Sequence, residues 1–153
     1  MARTEYGALT AEDVSIQDMA KISGLSESTL RYYEKIGLIA PVPRDESSGH
    51  RRYGAAAVAM IEALGCLRST GMSVQDMRSY LHLMAEDDDQ AARLRELFER
   101  NTERVDAEME RMRVRRRYLK LKAELWAARE GGDVRTEDRV TEELLTARDA
   151  LLR

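Results

Sequence analysis

The stretch Ser26-Glu27-Ser28-Thr29-Leu30-Arg31-Tyr32-Tyr33-Glu34 decides how this chain is read. Ser26 can cap a helix, and the helix after it carries short hydroxyls, an arginine and two tyrosines. Such groups hydrogen-bond base edges and phosphate oxygens. Just upstream, residues 15–25 spell a short helix with Ser15 as cap, Asp18 three residues on and Gly24 as stop. Helix, glycine turn and second helix is helix-turn-helix grammar. Many short helix pairs share it without touching DNA, so the neighbouring sequence has to decide.

Downstream, Gly37-Leu38-Ile39 leads to a proline-marked exit at Pro41 and Pro43. Arg44-Asp45-Glu46-Ser47-Ser48-Gly49-His50-Arg51-Arg52-Tyr53 then forms a turn-rich loop closing on two arginines and a tyrosine. The strings Thr-Leu-Arg-Tyr-Tyr-Glu-x-x-Gly-Leu at 29–38 and Gly-His-Arg-Arg-Tyr at 49–53 resemble the signature of the MerR family of winged-helix transcription regulators.

That resemblance implies residue roles. Arg31 falls where the family reads the major groove, and Tyr33, Arg51 and Tyr53 fall on positions that grip phosphates. Tyr32 takes a family aromatic position, with packing between the first two helices as its other reading. Ser28 and Thr29 face outward, and Arg44 and Arg52 belong to the DNA-facing region. His50 stands where the family often has tyrosine, which weakens a backbone contact there or makes it sensitive to protonation. The resemblance further implies a homodimer on a pseudo-palindromic promoter whose spacer is overlong for RNA polymerase. An effector then makes the dimer twist and shorten that DNA, which requires rigidly coupled reading heads.

Composition agrees with a helical protein. Of 153 residues, 35% are charged, 43% hydrophobic and only 5% aromatic, rich in helix formers and poor in strand formers. The net charge of −3 argues against DNA until its distribution is considered. Residues 15–84 carry eight Lys/Arg against seven Asp/Glu, and residues 90–130 carry twelve against eight. The acid sits elsewhere, so the arginines and not the total govern binding. No apolar run is long enough to cross a membrane or serve as a signal peptide core. A single cysteine excludes an intrachain disulfide framework, and the chain is expected to be cytoplasmic.

Along the chain, residues 1–14 read as a loose tail and 15–84 as the winged helix-turn-helix domain. The wing is expected to be a two-stranded hairpin around Ser47-Ser48-Gly49. A third helix is predicted over 55–70, with Val58, Ile61, Leu64 and Leu67 buried and a small-residue stripe of Ala59, Ala63 and Cys66 open to close approach. Gly71 stops it. Ser73 with Asp76 caps a fourth helix whose buried side is Val74, Met77, Leu81 and Met84. Glu86-Asp87-Asp88-Asp89 reads as a linker or a solvated first turn.

Residues 90–130 contain neither Pro nor Gly, and Phe98, Val105, Met112, Leu119 and Trp126 stand seven apart. With Met109, and with polar interruptions at Thr102 and Arg116, they form a coiled-coil seam. The chain has too few helices left to cover a rod of roughly 60 Å, so an antiparallel dimer helix is expected. Gly131-Gly132 breaks it, and Thr136 is read as the cap of a short C-terminal helix, a possible effector-side element over 131–153. Val140, Leu144, Ala147 and Leu151 should turn inward, against the coiled coil or a partner's DNA-binding domain. The run Arg111-Met112-Arg113-Val114-Arg115-Arg116-Arg117 reads as a solvated, salt-bridged face and not as a nucleic-acid site.

No cofactor and no metal are expected. Soft-metal relatives use cysteines at the dimer helix and beyond, and this chain has none after Cys66. Residues 66–73, 97–102 and 118–122 resemble the aldehyde- and thiol-stress branch, whose matching cysteine is held to sense electrophiles. Cys66 is therefore the candidate sensor, with a buried packing role as the alternative. A rival reading has a non-thiol ligand near Trp126, Tyr118 and Tyr80. Another class, an architectural or excisionase-like DNA-binding protein or a coiled-coil adaptor, stays open. No histidine or acid is placed to pair with Cys66 as base, so an enzyme is not expected.

Overall fold

The computed structural model describes residues 14–86 and 90–153. The order is α1 (Ile16–Ser23), α2 (Glu27–Lys35), α3 (Ala55–Ser69), α4 (Val74–Met84), α5 (Gln90–Gly131) and α6 (Val134–Leu151). Two compact units emerge, Met1–Leu97 and Phe98–Arg153, with α5 contributing to both.

In the first unit the caps fall where the sequence puts them. Ser15, Ser26 and Ser73 accept from the amides of Asp18, Thr29 and Asp76, and each satisfies a helix-end N–H that would otherwise lack a partner. Gly24 ends α1 at φ +70°, a conformation that only glycine adopts without strain. The core gathers Met19 of α1, Leu30 and Tyr33 of α2, Ile61 and Leu64 of α3 and Met77 of α4. Burying one such side chain stabilises by about 1.5–3 kcal/mol.

Four local expectations are corrected. Val14 is buried and bridges Tyr53, so the expected loose tail is shorter at its C-terminal end; residues 1–13 lie outside the described residues. The wing pairs through single antiparallel bridges, Arg44 with Arg51 and Val14 with Tyr53, and not through regular strands. Pro43 accepts from the Arg52 amide but has no N–H to return, which limits the ladder. Met84 is exposed, and Leu83 takes its place in the core.

The fourth correction concerns close approach. It falls on Gly65 of α3 and not on the Ala59, Ala63 and Cys66 stripe. A Cβ at Gly65 would lie 2.0 Å from the backbone oxygen of Ser23 in α1. Ala59 and Cys66 are exposed.

In the second unit α6 folds back on its own α5. Tyr118, Leu121 and Leu125 meet Val140, Leu144 and Ala147. Arg139 is paired with both Glu124 and Glu143, and Arg129 with Glu137. These exposed pairs add little individually. The α6 cap is Asp133, whose carboxylate accepts from the Thr136 amide and hydroxyl; Thr136 is the donor and not the cap. The acidic run is described only at Glu86, which pairs with Arg93 and His82. Asp87, Asp88 and Asp89 lie outside the described residues.

The seam residues occupy a different face of α5 from the one that α6 covers. Phe98, Met109, Met112, Leu119 and Trp126 are exposed, and Val105 is half-buried. Among the described residues the arginine run is only partly salt-bridged: Arg113 pairs with Glu110 and Arg117 with Glu143. Arg115 contacts the Met112 sulfur at 3.9 Å.

Candidate nucleic-acid interface

The outward face of α2 follows from helical geometry. Leu30 and Tyr33 point into the core, so Ser28, Arg31, Tyr32 and Lys35, spaced at i, i+3, i+4 and i+7, face solvent. Lys35 was not among the residues singled out from sequence, although its position four after Arg31 on the same stripe was the available signal. Arg31 is held against Glu27 at 3.1 Å, an exposed pair whose weak net energy lets it exchange for a nucleic-acid acceptor. At the helix start, Ser26 Oγ bonds the hydroxyls of Ser28 and Thr29 at 2.9 and 2.8 Å, which fixes those side chains over the N-terminus.

The wing tip is organised by Asp45. Its Oδ1 accepts from the amides and hydroxyls of Ser47 and Ser48, which hold this carboxyl far below the usual carboxylate range. Asp45 and His50 close the loop backbone, with Gly49 at φ +70°. Arg44 donates to the Gly49 carbonyl at 3.2 Å, and Arg52 lies 3.8 Å from the Asp45 carboxylate. His50 is exposed beside them.

Glu34 joins the two parts. Its Oε2 accepts from Arg51 Nε at 2.8 Å, and its Oε1 accepts from the Val42 amide at 3.4 Å. Both side chains of the pair are less than a fifth exposed. Burial pushes the Glu34 carboxyl up, but the Arg51 and Val42 hydrogen bonds and the charges of Arg51 and Arg44 outweigh it and leave it lowered. A carboxyl lowered on folding contributes stability that is present above its unfolded value, near pH 4.3, and is lost as pH falls through the folded one. Glu34→Ala is expected to cost about 1–3 kcal/mol in urea unfolding at pH 7, because Arg51 and the Val42 N–H lose their partner. The penalty should shrink as pH drops below about 4; a cost independent of pH would show that the charge is not what matters.

Two expected phosphate contacts sit elsewhere than the open surface. Tyr33 is 2% and Tyr53 1% exposed, because both rings belong to the core of the first unit. Burial raises the pKa of both phenols, and the Tyr33 hydroxyl has no hydrogen-bond partner among the described residues. Tyr32, by contrast, is 52% exposed, which removes the reading in which it packs between the first two helices. Arg78 of α4 was also missed by sequence reasoning: it donates to the Ile36 carbonyl at the end of α2 and buttresses the helix from behind. Cys66 is exposed, so a buried packing role is not what this chain by itself gives it. Trp126 is exposed under Arg129, whereas Tyr118 belongs to the α5–α6 core. Among the described residues no three His, Cys, Asp or Glu side chains cluster as a metal-ligand set, and no helix is long and apolar enough to cross a membrane.

Comparison with known proteins identifies the family. Residues 14–83 match the profile of the MerR HTH family regulatory proteins. The chain is 41% identical over 75 residues to the HTH-type transcriptional regulator AdhR of Bacillus subtilis, covering 49% of this chain but only 53% of that protein. It is 32% identical over 106 residues to the HTH-type transcriptional regulator HmrR of Rhizobium leguminosarum, covering 69% of this chain and 81% of the relative. Among solved structures it is similar to HiNmlR, described as a MerR family regulator lacking the sensor domain, bound to promoter DNA. That likeness has 30% identity and a TM-score of 0.58, covering 81% of this chain and 98% of HiNmlR. With the exposed α2 face, the wing and these likenesses together, the chain belongs to the MerR family and is a DNA-binding transcription regulator.

Proposed function

We propose that this chain acts as a homodimer on a pseudo-palindromic promoter, with Ser28, Thr29, Arg31, Tyr32 and Lys35 presented to the major groove and Arg44, His50 and Arg52 to the phosphates. The observation that carries this reading is the single solvent face of α2 set beside a wing rich in basic side chains. Arg51 serves mainly to hold the wing base through Glu34. The two copies pair as an antiparallel coiled coil along the exposed seam of α5, and a small-molecule stress signal changes head spacing, distorting the promoter and realigning it for RNA polymerase.

The central test is Arg31→Ala with operator and random duplexes in parallel. Specific affinity is expected to fall by about 1–3 kcal/mol while random-duplex binding changes little. Equal losses on both would make Arg31 a phosphate anchor and not a base reader.

Cys66 is proposed as the electrophile-sensing thiol, supported by its exposure on α3. Thiolates and not thiols react, so sensing needs a cation brought near it. Cys66→Ser is expected to abolish the transcriptional response to an aldehyde while leaving operator affinity within about twofold, less than 0.5 kcal/mol. An unchanged response assigns sensing to a non-thiol ligand.

A further inference from the structure

α2 carries two acids, Glu27 and Glu34, and only Glu34 has both of its oxygens engaged. One is taken by Arg51 and the other by the Val42 amide. Glu27, in the first turn, is held at one end only. Its Oε2 accepts from Arg31 Nη2 at 3.1 Å, and its Oε1 has no partner among the described residues. The Glu27 side chain is 38% and that of Arg31 51% exposed, so both reach solvent from one stripe of the helix. The nearby Ser28 and Thr29 hydroxyls are turned to Ser26 and not to this carboxylate. Glu27 does not cap the helix either, a task that Ser26 Oγ performs.

An acid at this place works against DNA binding in general. The first turn of a groove-facing helix is where side chains reach base edges, and the phosphates on either side repel a carboxylate there. In the free chain Arg31 offsets that charge. Once Arg31 turns to an acceptor on the duplex, Glu27 loses its donor while the approaching DNA strips away its water. A carboxylate only accepts, so relief has to come from a donor on the DNA. The major groove offers two, the exocyclic amines of cytosine and of adenine. Adenine sets its N7 acceptor beside the amine, which repels a carboxylate, whereas the cytosine edge carries the donor alone.

We infer that Glu27 is a second base-reading residue, whose carboxylate accepts from the N4 amine of a cytosine next to the position read by Arg31. Its contribution is selectivity and not strength. On a matching site the amine replaces the donor that Arg31 withdraws; on every other sequence the same charge is left uncompensated. Arg31 thus selects by attraction and Glu27 by exclusion of sites that lack the amine. The inference deepens the reading of α2 as the groove-facing helix and rests on it.

The test is selection of binding sites from duplexes with a randomised central segment, using the full chain as wild type, Glu27→Ala, Glu27→Gln and Arg31→Ala. Wild type is expected to select a motif with a cytosine whose preference over the other bases falls at least about fivefold in Glu27→Ala. Glutamine pairs with adenine through N6 and N7, so Glu27→Gln should exchange cytosine for adenine at that same position. A side chain that merely repelled phosphates or steadied the helix would not produce that exchange. Arg31→Ala should alter a neighbouring position instead. Both Glu27 variants should also bind random duplex about two- to threefold more tightly, since they remove a negative charge from the surface that meets the phosphates. Circular dichroism verifies that each variant is folded. A motif that is unchanged at every position in both Glu27 variants overturns the proposal and leaves α2 as the reading helix. No motif selected by the wild type overturns both.

Discussion

Gly65→Ala is expected to destabilise the N-terminal unit by about 2–3 kcal/mol, read as a lower urea midpoint with unchanged slope. Helix propensity alone argues the opposite sign, since alanine in a helix interior is about 1 kcal/mol better than glycine. Steric contact wins because of what the new methyl would meet. It would lie 2.0 Å from the Ser23 carbonyl oxygen and 2.9 Å from its carbon, which is backbone and cannot swing aside. Ser23 is itself pinned: its hydroxyl donates to the Met19 carbonyl and accepts from the Leu25 amide. The methyl therefore has to push α1 off α3, opening the core around Met19, Ile61 and Leu64. Gly131→Ala is the matched control, since nothing lies within 4 Å of its Cβ position, and it should be neutral or slightly stabilising. If Gly65→Ala were as stable as the control, the close α1–α3 packing would be wrong.

The same glycine shows where the sequence was legible and where it was not. Serines at 15, 26 and 73 announce three helices because capping is a local event, complete within four residues. Periodicity likewise exposed α5 and the inward faces of α3 and α6. Close approach is not local. Ala59, Ala63 and Cys66 made the more visible stripe of small residues, but which stripe meets a neighbour depends on how α1 lies against α3, and that is set by the whole core. The candidate interface divides in the same way. Arg31 and its face could be read from helical spacing, and Lys35 from one more turn. Tyr33 and Tyr53 could not be separated from Tyr32 by residue type, since a phenol suits both a core and a phosphate. What separates them is which side of α2 and of the wing faces the core, and the wing base is drawn onto α2 by the Glu34–Arg51 strut, a contact across seventeen residues.

The exposed stripe on α5 gives the larger functional expectation. Leu119→Glu with Met112→Glu should convert the protein to a folded monomer and reduce operator affinity by at least about a hundredfold. In the single chain Met112 is 62% and Leu119 67% exposed, so the carboxylates add no strain within it, and its helix content should be unchanged. Glutamate is, if anything, a good helix former. The cost arises only if a second α5 lies against this face, where four apolar contacts per dimer become four facing charges that must be desolvated or separated. Operator affinity follows because two linked heads bind adjacent half-sites with a high effective concentration, which a lone head lacks. Sedimentation separates this from a direct effect on DNA contact, since neither residue lies in the DNA-binding unit. A variant that still sediments as a dimer and still binds the operator tightly would mean that the seven-residue stripe serves something other than self-association.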